Sequence, residues 1–220
     1  MNLEEAIRTR RSVRGFLPAE VPTAVLHKAF ELAQYAPSGC NLQPWVPHVV
    51  SGPSLRRLSG ALLETASTGM PPNPDWYLPA KYSGVYRERQ HDSAARLYGA
   101  MGIERHDLDA RQAAALRNFA FFDAPHVVFI FLPRPFDTRE VADMGMYAQT
   151  LMLAMTAHGV ASCAQGALSM FPDVVRSHLG LSDEQRLLFG ISFGYEDTGV
   201  KANAARIGRV DVHEAVRFHS

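Results

Sequence analysis

The sequence predicts an α+β fold built as one domain over residues 1–220. Its clearest strand is the apolar run 127–132, which is rich in β-branched and aromatic residues and is bounded by prolines. Its clearest helices are 22–33 and 137–158, where apolar residues recur at helical spacing or lie on nearly all sides. No internal repeat or change of composition divides the chain, and its length allows one sizeable core.

The first part of the chain combines helical patterns with one short strand. Asn2, with acidic residues just behind it, predicts a capped helix start. Pro22 opens a second helix that must end near Pro37, because a proline disfavours helical backbone in the residue before it. Further along, the pattern predicts a strand at 47–51 and a helix at 53–68.

The segment 69–92 has a different character. It holds four prolines and four tyrosine or tryptophan residues without a clear period, which favours a functional loop or lid over a simple linker. Helices are expected after it, at 93–101 and 109–122. The stretch 69–117 is therefore predicted to be a lid or insert on the domain.

The C-terminal part returns to short apolar runs. The pattern predicts strands at 160–167 and 187–193, with a helix at 172–179 between them. A polar tail follows over 196–209, and one last helical turn is expected at 211–216.

Composition restricts the class of protein. Lys plus Arg and Asp plus Glu both number 22, and a neutral chain argues against nucleic acid as the main partner. Two cysteines, no apolar leader and no apolar run long enough for a bilayer predict a cytoplasmic protein without a membrane partner. All but three of the basic residues are arginines, which are the better bidentate phosphate ligands, although genomic base composition is an alternative cause.

Common catalytic patterns are missing from the sequence. The nine histidines show no metal-ligand spacing, so no metal site is expected. The sequence contains no nucleophile elbow, P-loop or dinucleotide fingerprint, and Cys40 has no obvious general base nearby. Hydrolase, kinase and metalloenzyme functions therefore have little support.

Three segments concentrate residues that suit a binding site. The segment 8–16 places four arginines within seven residues, which favours an anionic ligand such as phosphate, with a solvated helix end as an equal alternative. The segment 37–45, PSGCNLQPW, combines prolines and a glycine with short polar side chains, although an ordinary helix-to-strand loop has the same ingredients. The tail 195–209 again gathers cations where no core packing needs them.

Taken together, these segments resemble the FMN-dependent nitroreductase family. The cluster RRSVR, the segment PSGCNLQPW, the Gln165–Gly166 turn and the basic tail occur in the family's order over nearly the whole chain. The resemblance implies a central mixed, mostly antiparallel sheet wrapped by helices, in a homodimer with intertwined ends and two FMN sites at the interface. It also implies NADPH or NADH as electron donor and a nitroaromatic or quinone-like substrate, reduced by a ping-pong hydride mechanism.

The resemblance also assigns cofactor contacts. Arg10, Arg11 and Ser12 should hold the phosphate and ribityl hydroxyls, and Arg14 should lie near flavin N1 and the C2 carbonyl. Gly166 should offer a backbone N–H to flavin N5, which is the atom that carries the chemistry, so no catalytic side chain is expected. The partner chain should supply Pro37, Ser38, Gly39, Cys40 and Asn41, with Gln43 behind them. The remaining expected contacts are Gln165 and the tail cations, with Arg209 preferred for the phosphate over Arg206 and Lys201.

The substrate side of the site is less specified. Five aromatic residues are candidate walls of the substrate pocket, with simple core or interface packing as the alternative for each: Trp76, Tyr77, Tyr82, Phe119 and Phe122. The long insert resembles the subgroup that reduces nitroaromatic compounds such as nitrobenzoates. Another family reaction is the alternative activity, namely reductive dehalogenation, enone or quinone reduction, or flavin fragmentation. A flavin-binding sensor or storage protein with slow turnover is the alternative class.

Overall fold

A computed structural model describes residues 1–77 and 81–219 of the chain. Its four strands are β1 (Val46–Ser51), β2 (His126–Pro133), β3 (Ala161–Gln165) and β4 (Gln185–Gly194). They form one sheet in the order β1-β2-β4-β3, and each neighbouring pair is antiparallel. A single parallel bridge, between Ser12 and Ser162, adds the N-terminal segment to the β3 edge. The predicted α+β class and mostly antiparallel sheet are confirmed.

The helices of the described residues surround this sheet. The α-helices are α1 (Leu3–Thr9), α2 (Thr23–Ala33), α3 (Gly52–Ser67), α4 (Gly84–Met101), α5 (Leu108–Leu116), α6 (Thr138–Ala157), α7 (Pro172–Leu179) and α8 (Val212–Ala215). Short 3-10 helices lie at Gly39–Asn41, Phe121–Asp123, Gly166–Ser169 and Lys201–Ala204. No helix in the described ranges is long and apolar enough to cross a membrane.

Strand β2 shows why the core has two parts. Side chains alternate across a strand, so Val127 and Phe129 lie with α3 and α7 on one face, whereas Val128 and Ile130 lie with α2 and α6 on the other. All four are fully buried. A strand covered on both faces needs apolar residues at every position, which explains the continuous run that marked it in the sequence.

The prediction of a loop at 69–92 is wrong for residues 84–92, which are helical. A single helix, α4, begins at Gly84 and continues through the helix predicted from residue 93. No residue of α4 is buried, so this helix has no apolar stripe from which a period could be recognised. Residues 78–80 of the predicted lid, including Pro79, lie outside the described residues.

The helix predicted at 109–122 ends early, at Leu116. Beyond it, Phe121 and Phe122 adopt left-handed backbone, with φ of 53° and 54°, and both side chains are buried in the core. Tertiary burial of two large aromatic residues outweighs the local preference for helix here.

Candidate functional site

The two ends of the chain meet near the β3 edge of the sheet. The Arg11 guanidinium pairs with both carboxylate oxygens of Glu196 and donates a hydrogen bond to the Asn203 carbonyl at 3.0 Å. The buried Asn203 side chain accepts the Arg14 N–H at 2.6 Å and donates to the Gly15 carbonyl at 2.9 Å. These bonds fix the N-terminal arginines against the tail, so both ends build one surface.

Gly15 allows the two ends to pack this closely. A Cβ atom at this position would lie 2.5 Å from Cβ of Val200, which is far inside van der Waals contact. The Gly15 carbonyl also accepts the Asp197 N–H at 3.0 Å. The tail can therefore lie directly on the backbone of the N-terminal segment only because residue 15 has no side chain.

A cavity of about 800 Å³ lies between these ends, and we call it the basic cavity. Six arginines line it: Arg8, Arg10, Arg11, Arg14, Arg206 and Arg209. No carboxylate is among the described residues of its lining, which also includes Ser12 and, from α4, Ser93. The structure thus brings together the predicted phosphate contacts from both ends of the sequence. Lys201 is the exception, because it is exposed and does not line the cavity.

Arg10 has the least satisfied charge in the basic cavity. Burial lowers the pKa of its guanidinium, and the nearby positive charge of Arg209 lowers that pKa further. No described group accepts a hydrogen bond from the Arg10 side chain, whereas Arg11 is neutralised by Glu196. A bound anion would supply both the acceptor and the opposite charge that Arg10 lacks.

Strand β3 ends at Gln165, and Gly166 begins the 3-10 helix that follows it, at the position of the predicted turn. The Gln165 side chain is used internally, because it donates to the Asn118 carbonyl at 3.0 Å and accepts from the Ser192 hydroxyl. Gly166 is exposed, and a Cβ atom there would meet no heavy atom within 4 Å. Space is therefore open at the Gly166 backbone, while the Gln165 side chain holds the turn in place.

The segment 37–43 lies apart from the basic cavity of its own chain, since none of its residues is in the cavity lining. Its side chains are exposed except for that of Ser38, which is half-buried. The segment contacts α6 through Asp143, whose Oδ2 accepts the Gly39 N–H at 3.2 Å. One chain therefore does not assemble all of the predicted cofactor contacts.

Comparison with known proteins identifies the chain. A model of the Nitroreductase family matches residues 7–195. The protein belongs to the nitroreductase family. A relative that is 46% identical, over 98% of this chain and 92% of its own length, is the nitroreductase NfnB of Mycolicibacterium smegmatis. The 4-nitrobenzoate reductase of Pseudomonas putida is 32% identical, over 94% of this chain and 91% of its own length.

A solved structure extends the match to three dimensions. It is the FMN-dependent nitroreductase NfnB from Mycobacterium smegmatis in complex with NADPH, with a TM-score of 0.94 and 44% sequence identity. The match covers 99% of this chain and 97% of that chain. The family predicted from the arginine cluster and the PSGCNLQPW segment is confirmed.

The five aromatic candidates of this nitroreductase-family protein do not form one wall. Tyr77 and Tyr82 are exposed, and the Trp76 ring is covered by the Arg186 guanidinium at 4.0 Å. Phe119 is buried in the hydrophobic core, so its contacts fit simple core packing, which was the alternative to a place in the pocket wall. The buried Phe122 also borders a cavity of about 130 Å³ whose lining includes Arg14. Phe122 differs from the other four because it lies beside an arginine of the basic cavity. The substrate-binding roles of all five residues remain predictions.

Two residues that hold the candidate site together could not be picked out from the sequence. Glu196 holds Arg11, and Asn203 connects the tail to the N-terminal segment. The sequence offered only an indirect signal, because a dense arginine cluster needs some carboxylate partners. Nothing in the sequence marks Asn203, whose role arises from contacts with residues almost a whole chain length away.

Proposed function

We propose that this protein is an FMN-dependent oxidoreductase that uses NADPH to reduce nitroaromatic compounds. The observation that carries the proposal is the basic cavity, where both chain ends gather arginines around one space. Two similar proteins support the reaction. One is an FMN-dependent nitroreductase in complex with NADPH, and the other is a 4-nitrobenzoate reductase.

The basic cavity has the chemistry that the phosphate end of FMN requires. Its volume of about 800 Å³ lies within the range of roughly 300–1,000 Å³ common for cofactor sites. The guanidinium of Arg10 is partly buried without an acceptor and lies near Arg209, so a dianionic phosphate would relieve both unfavourable features. Arginine also matches phosphate with two parallel hydrogen bonds, which lysine cannot do.

The residues of the chain would bind and orient the cofactor. FMN, when bound, supplies the hydride-transfer chemistry between NADPH and the acceptor. Arg10 and Arg209 would hold the phosphate, and Ser12 would bond the ribityl hydroxyls. Arg14 would place positive charge at the pyrimidine edge of the flavin, where negative charge develops on reduction. The exposed Gly166 backbone would lie close to the ring because it has no side chain to obstruct it.

We further propose that the active unit is a homodimer. The segment 37–43 carries the remaining predicted contacts but does not reach the basic cavity of its own chain. Both chain ends also expose large apolar side chains, including Leu3 (68% exposed) and Phe218 (83% exposed). A second copy would cover such residues and bring its own segment 37–43 to the cofactor. A monomer in analytical ultracentrifugation that carries stoichiometric FMN would contradict this arrangement.

A direct test measures NADPH oxidation by FMN-loaded protein with and without 4-nitrobenzoate. We expect consumption of NADPH that rises with the nitro compound, together with its reduced products in chromatography. Protein that takes up no FMN, or FMN-loaded protein that transfers no electrons to any nitroaromatic compound, would refute the proposed function.

A further inference from the structure

Asp143 is a buried carboxyl group on an apolar helix. It is 6% exposed, and its neighbours on α6, Met144 and Tyr147, are fully buried in the core. Burying a carboxyl group is unfavourable unless hydrogen bonds compensate it. Within the described residues, the side chain has one hydrogen-bond partner, the Gly39 N–H at 3.2 Å. The reason for a carboxyl group at this position therefore lies in the segment 37–43.

The backbone of that segment is strained. Cys40, Asn41 and Gln43 have φ of 49°, 57° and 48°, in the left-handed region that favours glycine. Left-handed backbone is unfavourable for residues that carry a side chain, so the shape persists only where contacts hold it. The exposed side chains provide little packing, and hydrogen bonds must therefore supply the restraint.

Most of the hydrogen bonds here are internal to the segment. Ser38 Oγ accepts the Gln43 N–H at 2.9 Å, and the Ser38 carbonyl accepts the Asn41 N–H at 3.1 Å. These bonds shape the turn but do not attach it to the rest of the protein. The bond from Gly39 to Asp143 is the one that connects residues 37–43 with the core among the described hydrogen bonds.

Helix α6 also contacts Trp45, the last residue of the PSGCNLQPW segment. Tyr147 lies one turn beyond Asp143 on the same face of the helix, and its ring stacks on Trp45 with centroids 4.8 Å apart. Trp45 is itself fixed by a hydrogen bond to Gln34 at 3.1 Å. One face of α6 thus contacts this part of the chain at two points, because Asp143 holds the strained turn at Gly39 and Tyr147 packs on Trp45, two residues beyond Gln43.

We propose that Asp143 is a positioning residue for cofactor binding, which holds the segment 37–43 in the shape that meets the FMN of a partner subunit. This inference rests on the proposed function. The carboxyl group contributes through the Gly39 N–H alone and does not itself contact the cofactor. Its role explains why a polar residue interrupts the apolar face of α6.

The test compares variants of FMN-depleted full-length protein. Asp143→Ala removes the acceptor, and Asp143→Leu removes it while keeping the volume filled, so the result does not depend on one variant folding. Asp143→Asn retains a carbonyl oxygen that can accept the same N–H. A matched control is Asp137→Ala, because Asp137 is the N-cap residue of the same helix, in a capping box with Glu140, and does not contact the segment.

Two readouts separate positioning from general stability. Hydrogen exchange by mass spectrometry reports protection of residues 36–45 relative to β2, and FMN fluorescence quenching gives the dissociation constant. We expect the Ala and Leu variants to lose protection in 36–45 while β2 stays protected, and to bind FMN about tenfold more weakly. Asp143→Asn should stay within about threefold of wild type. Asp137→Ala should lower the melting temperature with little change in either readout.

Wild-type protein that binds no FMN overturns the proposed function and this inference together. Wild-type protein that binds FMN, with Ala and Leu variants of unchanged affinity or unchanged protection of 36–45, overturns only the role of Asp143.

Discussion

Arg11 and Glu196 form a partly buried ion pair that joins the two ends of the chain. Their side chains are only 28% and 23% exposed, and the guanidinium contacts both carboxylate oxygens. Arg11 also lines the basic cavity, so the pair neutralises one of the arginines of that cavity. It ties the site to the stability of the fold, because the residues that hold the tail also bring the arginines together.

Removing the charge of Glu196 should destabilise the protein. In Glu196→Gln the partly buried Arg11 guanidinium loses its counter-charge. We therefore expect the free energy of unfolding to fall by about 1–2 kcal/mol. Urea denaturation measures this change. Asp92→Asn is the matched control, since its pair with Arg96 is about half exposed and the substitution should change stability much less than Glu196→Gln does. Equal effects of the two substitutions would contradict the structural role of the Arg11 pair.

Gly15 should not tolerate a side chain. In Gly15→Ala the added methyl group would overlap Val200, so we expect a loss of about 1–3 kcal/mol in stability, partly restored by Val200→Gly in the same chain, which removes the overlapping Cβ atom. Gly60→Ala provides the comparison, because a Cβ atom on Gly60 in α3 would meet nothing within 4 Å, and alanine there should stabilise by about 0.5–1 kcal/mol. Thermal denaturation of wild type and the three variants measures both effects. A neutral Gly15→Ala substitution would show that the ends pack less closely.

Acid should destabilise the fold through His126. This buried imidazole accepts the Val21 N–H at Nε2 (3.0 Å), and Nδ1 contacts the Ser51 hydroxyl at 2.6 Å. Burial lowers its pKa, against a smaller opposing effect of Glu20. The unfolded chain therefore binds the proton more readily, so the contribution of His126 to stability is complete above its unfolded pKa of about 6.5 and is lost as the pH falls from there through the lower pKa of the folded state.

Denaturant titrations between pH 8 and pH 5.5 check this dependence. Wild type should lose up to about 1.4 kcal/mol per pH unit from this residue below its unfolded pKa, and His126→Gln should lose less. His48, whose pKa is also lowered by burial, leaves a residual slope in both proteins. Identical slopes for wild type and His126→Gln would exclude His126 as the source.

Arg209, the tail arginine whose charge lowers the pKa of Arg10, should matter for the cofactor. Arg209→Ala removes a phosphate contact of the proposed site, and we expect FMN to bind about 10–100-fold more weakly. FMN fluorescence quenching measures the dissociation constant. Arg57→Ala is the control, because Arg57 is exposed on α3 and does not line the basic cavity. A dissociation constant that changes equally in both variants would remove Arg209 from the site.

Elements with strong local signals could be predicted from the sequence, and those set by distant contacts could not. The run 127–132 and the capped start at Asn2 depend on adjacent residues, so both are found where expected. Helix α4 has no buried face, and the turn at Phe121 exists only because the core accepts its ring. The arginine clusters could be recognised in the sequence. The role of Asn203 could not, because it depends on a contact between the two chain ends that only the structure shows.

The affinity for FMN relative to riboflavin tests whether the basic cavity binds the phosphate of the cofactor, since riboflavin lacks only that phosphate. If the basic cavity holds that phosphate, wild type should bind FMN at least about 100-fold more tightly than riboflavin. Arg10→Ala should reduce this ratio by about tenfold or more, mainly by weakening FMN. Equal affinities of wild type for the two flavins, or a ratio that Arg10→Ala leaves unchanged, would contradict the account.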